Sequence, residues 1–324
     1  MRPRVWALLL TTLALSAIAA IALGSVSLSP AAVWDALRGR GAPDAEMIVR
    51  VLRLPRVVLG IVVGAGLGMS GAALQANLRN ALAEPYLLGV SGGAAVGAVL
   101  ATALSVTSPG VVPLAAFAGS VCAVVCVLAV ARAARGPGDA RVLVMAGVVV
   151  GAFANAAIMI VMANVPDQSV RSALWWMMGS LGDASWAGVR WTAGYVTVGG
   201  LLLLVYGREI EILALGDEPA AALGVDTVSA TRRIFLISSL LAAVTVAAAG
   251  LVGFVGLVVP AIARSLGART VRGTILASAL AGASLVVGAD LVARVARAPA
   301  ELPLGAVTAL VGVPFFLLRL RRLS

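Results

Sequence analysis

The sequence predicts an all-α, polytopic membrane protein with about ten transmembrane helices, and three observations carry that prediction. Of 324 residues, 61% are hydrophobic and only 12% charged, whereas a soluble domain carries roughly 25% charged residues. The apolar residues gather into runs near the ~20 residues that a bilayer-crossing helix needs. All 24 basic residues are Arg, set in short clusters between those runs, as expected of loops held at a membrane surface.

Taken in order, the first run is Val5–Val26, behind Arg2 and Arg4. It is longer than the 7–15 residue core of a secretory signal, so it is expected to stay as a span. Val57–Asn77 and Tyr86–Ser105 follow, joined by the charged turn around Arg79 and Glu84. Val111–Ala131, Val142–Ala163 and Trp186–Tyr206 are next, then Ile234–Ala249 and Leu251–Ile262, run together and short. The eighth is not expected to cross alone. Gly273–Ala293 and Leu304–Leu320 complete the set. The second run carries Gly60, Gly64, Gly68 and Gly71, a spacing that lets helix backbones approach closely.

Two stretches between runs have a pattern of their own. Residues 169–181, with Trp175 and Trp176, are too short to cross and predict a short outer-surface helix. Residues 215–226, "LGDEPAAALGVD", predict an inner-side helix with Leu215, Ala222 and Leu223 on one face. Such a face can lie on the membrane or dock in a partner's groove.

An even number of crossings puts both termini on one side. With the N-terminus inside, fifteen arginines fall inside and nine outside, the sign of the positive-inside rule. The net charge of +10 therefore does not indicate nucleic acid, because no single basic face collects it. Cys122 and Cys126 lie one helical turn apart in an apolar run, and the chain has no His to complete a metal site.

A carrier driven by an ion gradient buries carboxylates in its spans. The ten runs contain one acidic residue, Asp290, and the chain has no phosphate-cradling G-x-x-x-x-G-K-[ST] loop. No hydrolytic constellation is present either. A chain of this kind that moves cargo uphill takes its energy from another subunit.

The stretch Arg53–Ala98, "RLPRVVLGIVVGAGLGMSGAALQANLRNALAEPYLLGVSGGAAVGA", closely resembles the signature of FecCD-type ABC permeases, importers of iron–siderophore complexes, cobalamin and haem. The resemblance continues through Leu174–Leu181, residues 215–226, Gly250–Arg264 and Glu301–Phe316, in the same order and spacing. It implies a single transmembrane permease domain over 1–324 with the cobalamin-permease-like (type II importer) fold. Two permease copies, or one with a paralogue, would enclose a path on their common axis in the inner or plasma membrane of a bacterium. Two ABC ATPase subunits would dock inside and use ATP and magnesium; this chain itself would bind no cofactor and catalyse nothing. A substrate-binding protein would dock outside.

By the same resemblance, residues 215–226 match the coupling helix seated on the ATPase, with Leu215, Gly216, Asp217, Glu218, Ala222, Leu223 and Gly224 at the contact. The outer segment 50–56 matches the binding-protein dock, with Arg53, Arg56 and Arg294 expected to meet glutamates of that partner. Gly138, Asp139 and Arg141 are expected near the inner gate, and Asn155, Trp175 and Met178 along the path. One departure stands out: Ala261 occupies a position where relatives commonly have His. That lowers haem as cargo; the resemblance implies ferric siderophore, the family's commonest cargo, as the expected chelate, with cobalamin and haem behind it.

Overall fold

The computed structural model describes residues 1–104, 110–134 and 139–320. Among these the regular structure is entirely helical. The N-terminal part runs through α1 (Pro3–Ala22), α2 (Pro30–Arg38), α3 (Pro43–Glu46) and a π-helical stretch (Met47–Arg53) that leads without a break into α4 (Leu54–Asn77). A 3-10 turn (Pro85–Leu88) then precedes α5 (Val90–Ala103), α6 (Val111–Ala133), α7 (Ala140–Met162), α8 (Asp167–Met177) and α9 (Trp186–Val205). The remainder is α10 (Gly207–Leu213), α11 (Asp217–Ala222), α12 (Thr227–Ala249), α13 (Val255–Ser265), α14 (Val271–Val295) and α15 (Leu304–Leu320).

All ten expected runs are helices. Seven are long and apolar enough to cross a membrane, and α5, α13 and α15 are shorter. With 11 residues, α13 reaches about 16 Å, roughly half of a hydrocarbon core. The seventh run is longer than its apolar part: α12 begins at Thr227, seven residues before Ile234, because Asp226 caps it by accepting from the Ser229 N–H at 3.2 Å. The helix expected on the outer surface occupies 167–177 and the one expected inside 217–222, so both are shorter than the sequence pattern suggested. The sequence reading missed α2, α3 and α10, which are surface pieces too short or too polar to register as runs.

α4 is the axis of the bundle. It packs along α14, α12, α13 and α9, while α5, α6 and α7 form a second group reached through α12. Eighteen of the 24 residues of α4 are buried, as befits a helix with neighbours on every side. Its glycines set the distance. A Cβ at Gly64 would overlap the Gly282 carbonyl, one at Gly68 the Ser278 carbonyl, and one at Gly71 the Gly256 carbonyl. Close approach of this kind drives association where lipid removes the hydrophobic difference between inside and outside. The same device joins α5 to α6 at Gly93 and Gly97. By contrast, a Cβ at Gly151 of α7 meets nothing within 4 Å.

That contrast yields a paired test. Gly68→Ala should lower the thermal unfolding midpoint of the detergent-solubilised protein, at a cost of about 1–3 kcal/mol for overpacking. Gly151→Ala should leave it unchanged or raise it, since it gains helix propensity of up to about 1 kcal/mol. Equal effects of the two would remove the close-approach account.

Candidate functional site

At one end of α4 lies a buried ion cluster. The Arg56 guanidinium donates from Nε and Nη2 to Asp290 of α14 at 2.8–3.1 Å, and from Nη1 and Nη2 to Glu301 at 2.7 and 2.8 Å. The second carboxylate oxygen of Asp290 pairs with Arg294 Nε at 3.0 Å, one turn along the same helix. Arg294 also donates to the Ala20 carbonyl of α1. Arg53 donates to the carbonyls of Ile21, Ala22 and Val26. Desolvating charges this far costs several kcal/mol per ion, which only close, bidentate partners repay. Asp290, 2% exposed, has one bidentate partner in Arg56 and a single-atom ion pair with Arg294.

This corrects the expectation that Arg53, Arg56 and Arg294 stand outward. They are 5%, 9% and 6% exposed, and each guanidinium is engaged inside the chain. The physical reason is the pairing itself: Asp290, the lone acid of the runs, sits within reach of both Arg56 and Arg294. The cluster ties α1, α4, α14 and the segment before α15 together. Glu301 lies outside the helices with its side chain 43% exposed, and its hydrogen bonds to Arg56 hold its carboxyl below the usual carboxylate range. Within the outer segment 50–56, Arg50 is exposed, and its carbonyl accepts from the Trp186 indole at 3.2 Å.

A second buried acid escaped the sequence reading. Glu84, taken as part of a charged turn, is 6% exposed and accepts the Phe254 N–H at 2.7 Å. Phe254 has φ +67, an uncommon backbone for a bulky residue, and caps the start of α13. Two residues on, the Tyr86 hydroxyl accepts the Val252 N–H at 2.9 Å. The pair clamps the irregular backbone between α12 and α13. The same crossing receives the end of α8 and the start of α15. Ser180 N–H donates to Ala249, Leu304 N–H to Gly179 and Gly305 N–H to Met178. Non-helical backbone inside a membrane bundle needs internal partners of this kind. The clue was available in the sequence as a Glu directly before Pro85, but nothing in the pattern located its partner 170 positions away.

The path candidates are spread along the fold. Gly138 lies outside the described residues. Asp139 caps α7 by accepting the Arg141 N–H at 2.8 Å, and Arg141 is exposed. Asn155 is exposed on α7, fourteen residues beyond Arg141, a rise of about 21 Å. Trp175 and Met178 are exposed at the end of α8. These residues do not form one binding cluster; they mark exposed stretches of α7 and α8. Gln75 and Asn77 serve packing: Gln75 donates to the Gly256 and Leu257 carbonyls and accepts from Arg264, and Asn77 donates to the Thr231 carbonyl.

The coupling candidates form an exposed protrusion. Gly216 (φ +118) and Gly224 (φ +80) bracket α11, turning the chain where a side chain would be strained. Ala220 is buried and anchors the piece, while Asp217, Glu218 and Ala222 are exposed and Leu215 and Leu223 are 64% and 61% exposed. Asp217 pairs with Arg79 at 2.7 Å, tying the protrusion to the end of α4. Among the described residues, no group of three or more His, Cys, Asp or Glu side chains is placed to hold a metal.

Residues 11–322 match the model of the FecCD transport family. The cobalamin import system permease protein of Halobacterium salinarum is 42% identical over 87% of this chain and 75% of its own length. The hemin transport system permease protein of Yersinia pestis is 36% identical over 95% and 92%. An inward-facing ABC transporter of the metal-chelate type superposes with a TM-score of 0.89 at 25% identity, covering 99% of this chain and all of the other.

Two predictions follow from the buried acids. Asp290→Asn should cost about 3–5 kcal/mol, the penalty for stranding buried charge, while Glu301→Gln should cost less because water reaches it; thermal unfolding of the two variants checks the order. Burial pushes the Glu84 carboxyl up to about 7. A carboxyl raised above its unfolded value favours the protonated native state, so stability should fall as pH rises through the interval from the ordinary carboxylate range to about 7. Glu84→Gln should flatten that slope; an unchanged slope would show that other groups set it.

Proposed function

Because the chain belongs to the FecCD transport family, we propose that it is the membrane permease of an ATP-driven importer of a metal chelate. The observation that carries this reading is the 215–224 protrusion: exposed, partly apolar and anchored to α4, on a chain with no nucleotide loop of its own. It has the character of a surface made to be gripped. Two copies of this chain, or one with a paralogue, enclose the path; two ATPase subunits hold α11 and its flanks from inside, with both termini on that side. Closure of the ATPase pair moves the protrusion, and the Arg79–Asp217 pair passes that motion to the central helix α4.

Outside, a substrate-binding protein docks over segment 50–56. Arg50 is the exposed cation there, while Arg53, Arg56 and Arg294 hold the surface in shape from behind. Exposed apolar residues of α7, among them Met145, Phe153 and Met159, suit a wall that lets a bulky cargo pass without holding it. The cargo is a ferric siderophore in the first reading, supported by the sequence resemblance and by the missing imidazole at Ala261. The second reading is cobalamin, favoured by the 42% identity to a cobalamin import permease.

In vesicles reconstituted with its ATPase and binding protein, the chain should take up chelate only with ATP, and an uncoupler should have no effect. Uptake that persists without ATP and stops with an uncoupler would instead identify an ion-coupled carrier. Tryptophan-quench titration of the binding protein with ferric siderophores, cobalamin and haem separates the two cargo readings. The double variant Leu215→Asp, Leu223→Asp should abolish uptake and release the ATPase on purification while leaving the unfolding midpoint near that of the parent chain; intact uptake would remove α11 from the coupling role.

A further inference from the structure

Beside the protrusion, on the side facing α13 and α14, a cavity of about 350 Å³ opens at the end of α4. Alanines of α4 and α13, with Phe316 of α15, make an apolar wall, and Gln75, Arg79, Arg264, Arg269 and Thr270 supply the polar lining. Among the described residues the arrangement is one-sided in charge: the guanidiniums of Arg79, Arg264 and Arg269 line the space and no Asp or Glu does. Arg264 is fixed by donating to Gln75 Oε1 at 2.6 Å. Thr270 caps α14 by accepting the Gly273 N–H at 3.1 Å, so the positive end of a 25-residue helix abuts the same space.

We propose that this cavity binds a phosphate group, supplied by an anionic phospholipid of the inner leaflet. The exposed fork of Arg269, the positive field of Arg79 and Arg264, which are bonded within the chain, and a helix N-terminus suit a phosphate's several acceptor oxygens. The apolar wall matches the glycerol and upper acyl carbons that arrive with a lipid phosphate, and basic pockets between helices on this side are where such headgroups bind. Nothing in the import reading requires this site; it goes beyond that function. It does connect to it, because Arg79 lines the cavity and also pairs with Asp217 of α11, so an occupant competing for Arg79 acts on the coupling protrusion.

The test is thermal unfolding of the full chain in a neutral detergent, titrated with dioctanoyl phosphatidylglycerol, dioctanoyl phosphatidylcholine or inorganic phosphate. Ligand that binds only the folded state raises the midpoint saturably. Phosphatidylglycerol should do so, phosphatidylcholine should not, and Arg269→Gln should raise the half-saturating concentration about tenfold, the loss of one charge-assisted contact. Arg269 is exposed, so this variant leaves the fold intact; Arg269→Lys should recover part of the effect. Arg171→Gln removes an equal charge from α8, far from the cavity in the chain, and should change nothing. If inorganic phosphate alone gives the same Arg269-dependent shift, phosphate recognition stands and the lipid is not its source. If phosphatidylcholine matches phosphatidylglycerol, or Arg269→Gln leaves the phosphatidylglycerol shift unchanged, the proposal is overturned.

Discussion

Backbone-to-backbone contact along α4 is the constraint on which the rest of the structure depends. In lipid, apolar side chains gain nothing by meeting one another rather than acyl chains, so helices are held by dispersion at close range. Gly64, Gly68 and Gly71 bring the α4 backbone against carbonyls of α14 and α13, and that proximity makes the other features possible. Arg56 reaches Asp290 because α4 and α14 run side by side. Gln75 reaches two carbonyls at the start of α13 because Gly71 lets that short helix in.

Polar groups then fix what the glycines bring together. The Arg56–Asp290–Arg294–Glu301 cluster joins α1, α4, α14 and the segment before α15, with directional hydrogen bonds from Arg56 to both acids and from Arg294 to the Ala20 carbonyl. Dispersion alone would let helices slide or rotate, whereas a bidentate guanidinium–carboxylate pair sets register. At the other crossing, Glu84 and Tyr86 hold the break between α12 and α13. Both are buried acid or hydroxyl groups meeting donors that would otherwise be stranded. The coupling candidates, by contrast, lie where such restraints end: α11 and its glycine brackets are exposed apart from the buried Ala220 and meet the end of α4 through the Arg79–Asp217 pair.

Ten apolar helices, their order and the exposed 215–224 protrusion were legible because each is a local property. Runs of apolar residues, Arg clusters and a Gly-bracketed segment read the same in any tertiary context. The same locality limited the reading at α12, where the apolar pattern begins at Ile234 but the helix begins at its Asp226 cap. It failed for α2, whose nine residues leave no membrane-length signal. The arginines show the limit most clearly: Arg53, Arg56 and Arg294 look like outer-surface charges, but Asp290 holds Arg56 and Arg294 inward and the carbonyls of Ile21, Ala22 and Val26 hold Arg53.

The sequence by itself determined the solvent, the ten apolar runs and the family, since these follow from composition, run length and motifs. Tertiary structure alone decided which charges are exposed and which face each other, that Glu84 supports α13, and that Arg79, Arg264 and Arg269 share one cavity. The residues concerned are separated by tens to hundreds of positions. What a buried charge does is set by its nearest opposite charge and by exclusion of water, and neither is a property of its neighbours along the chain.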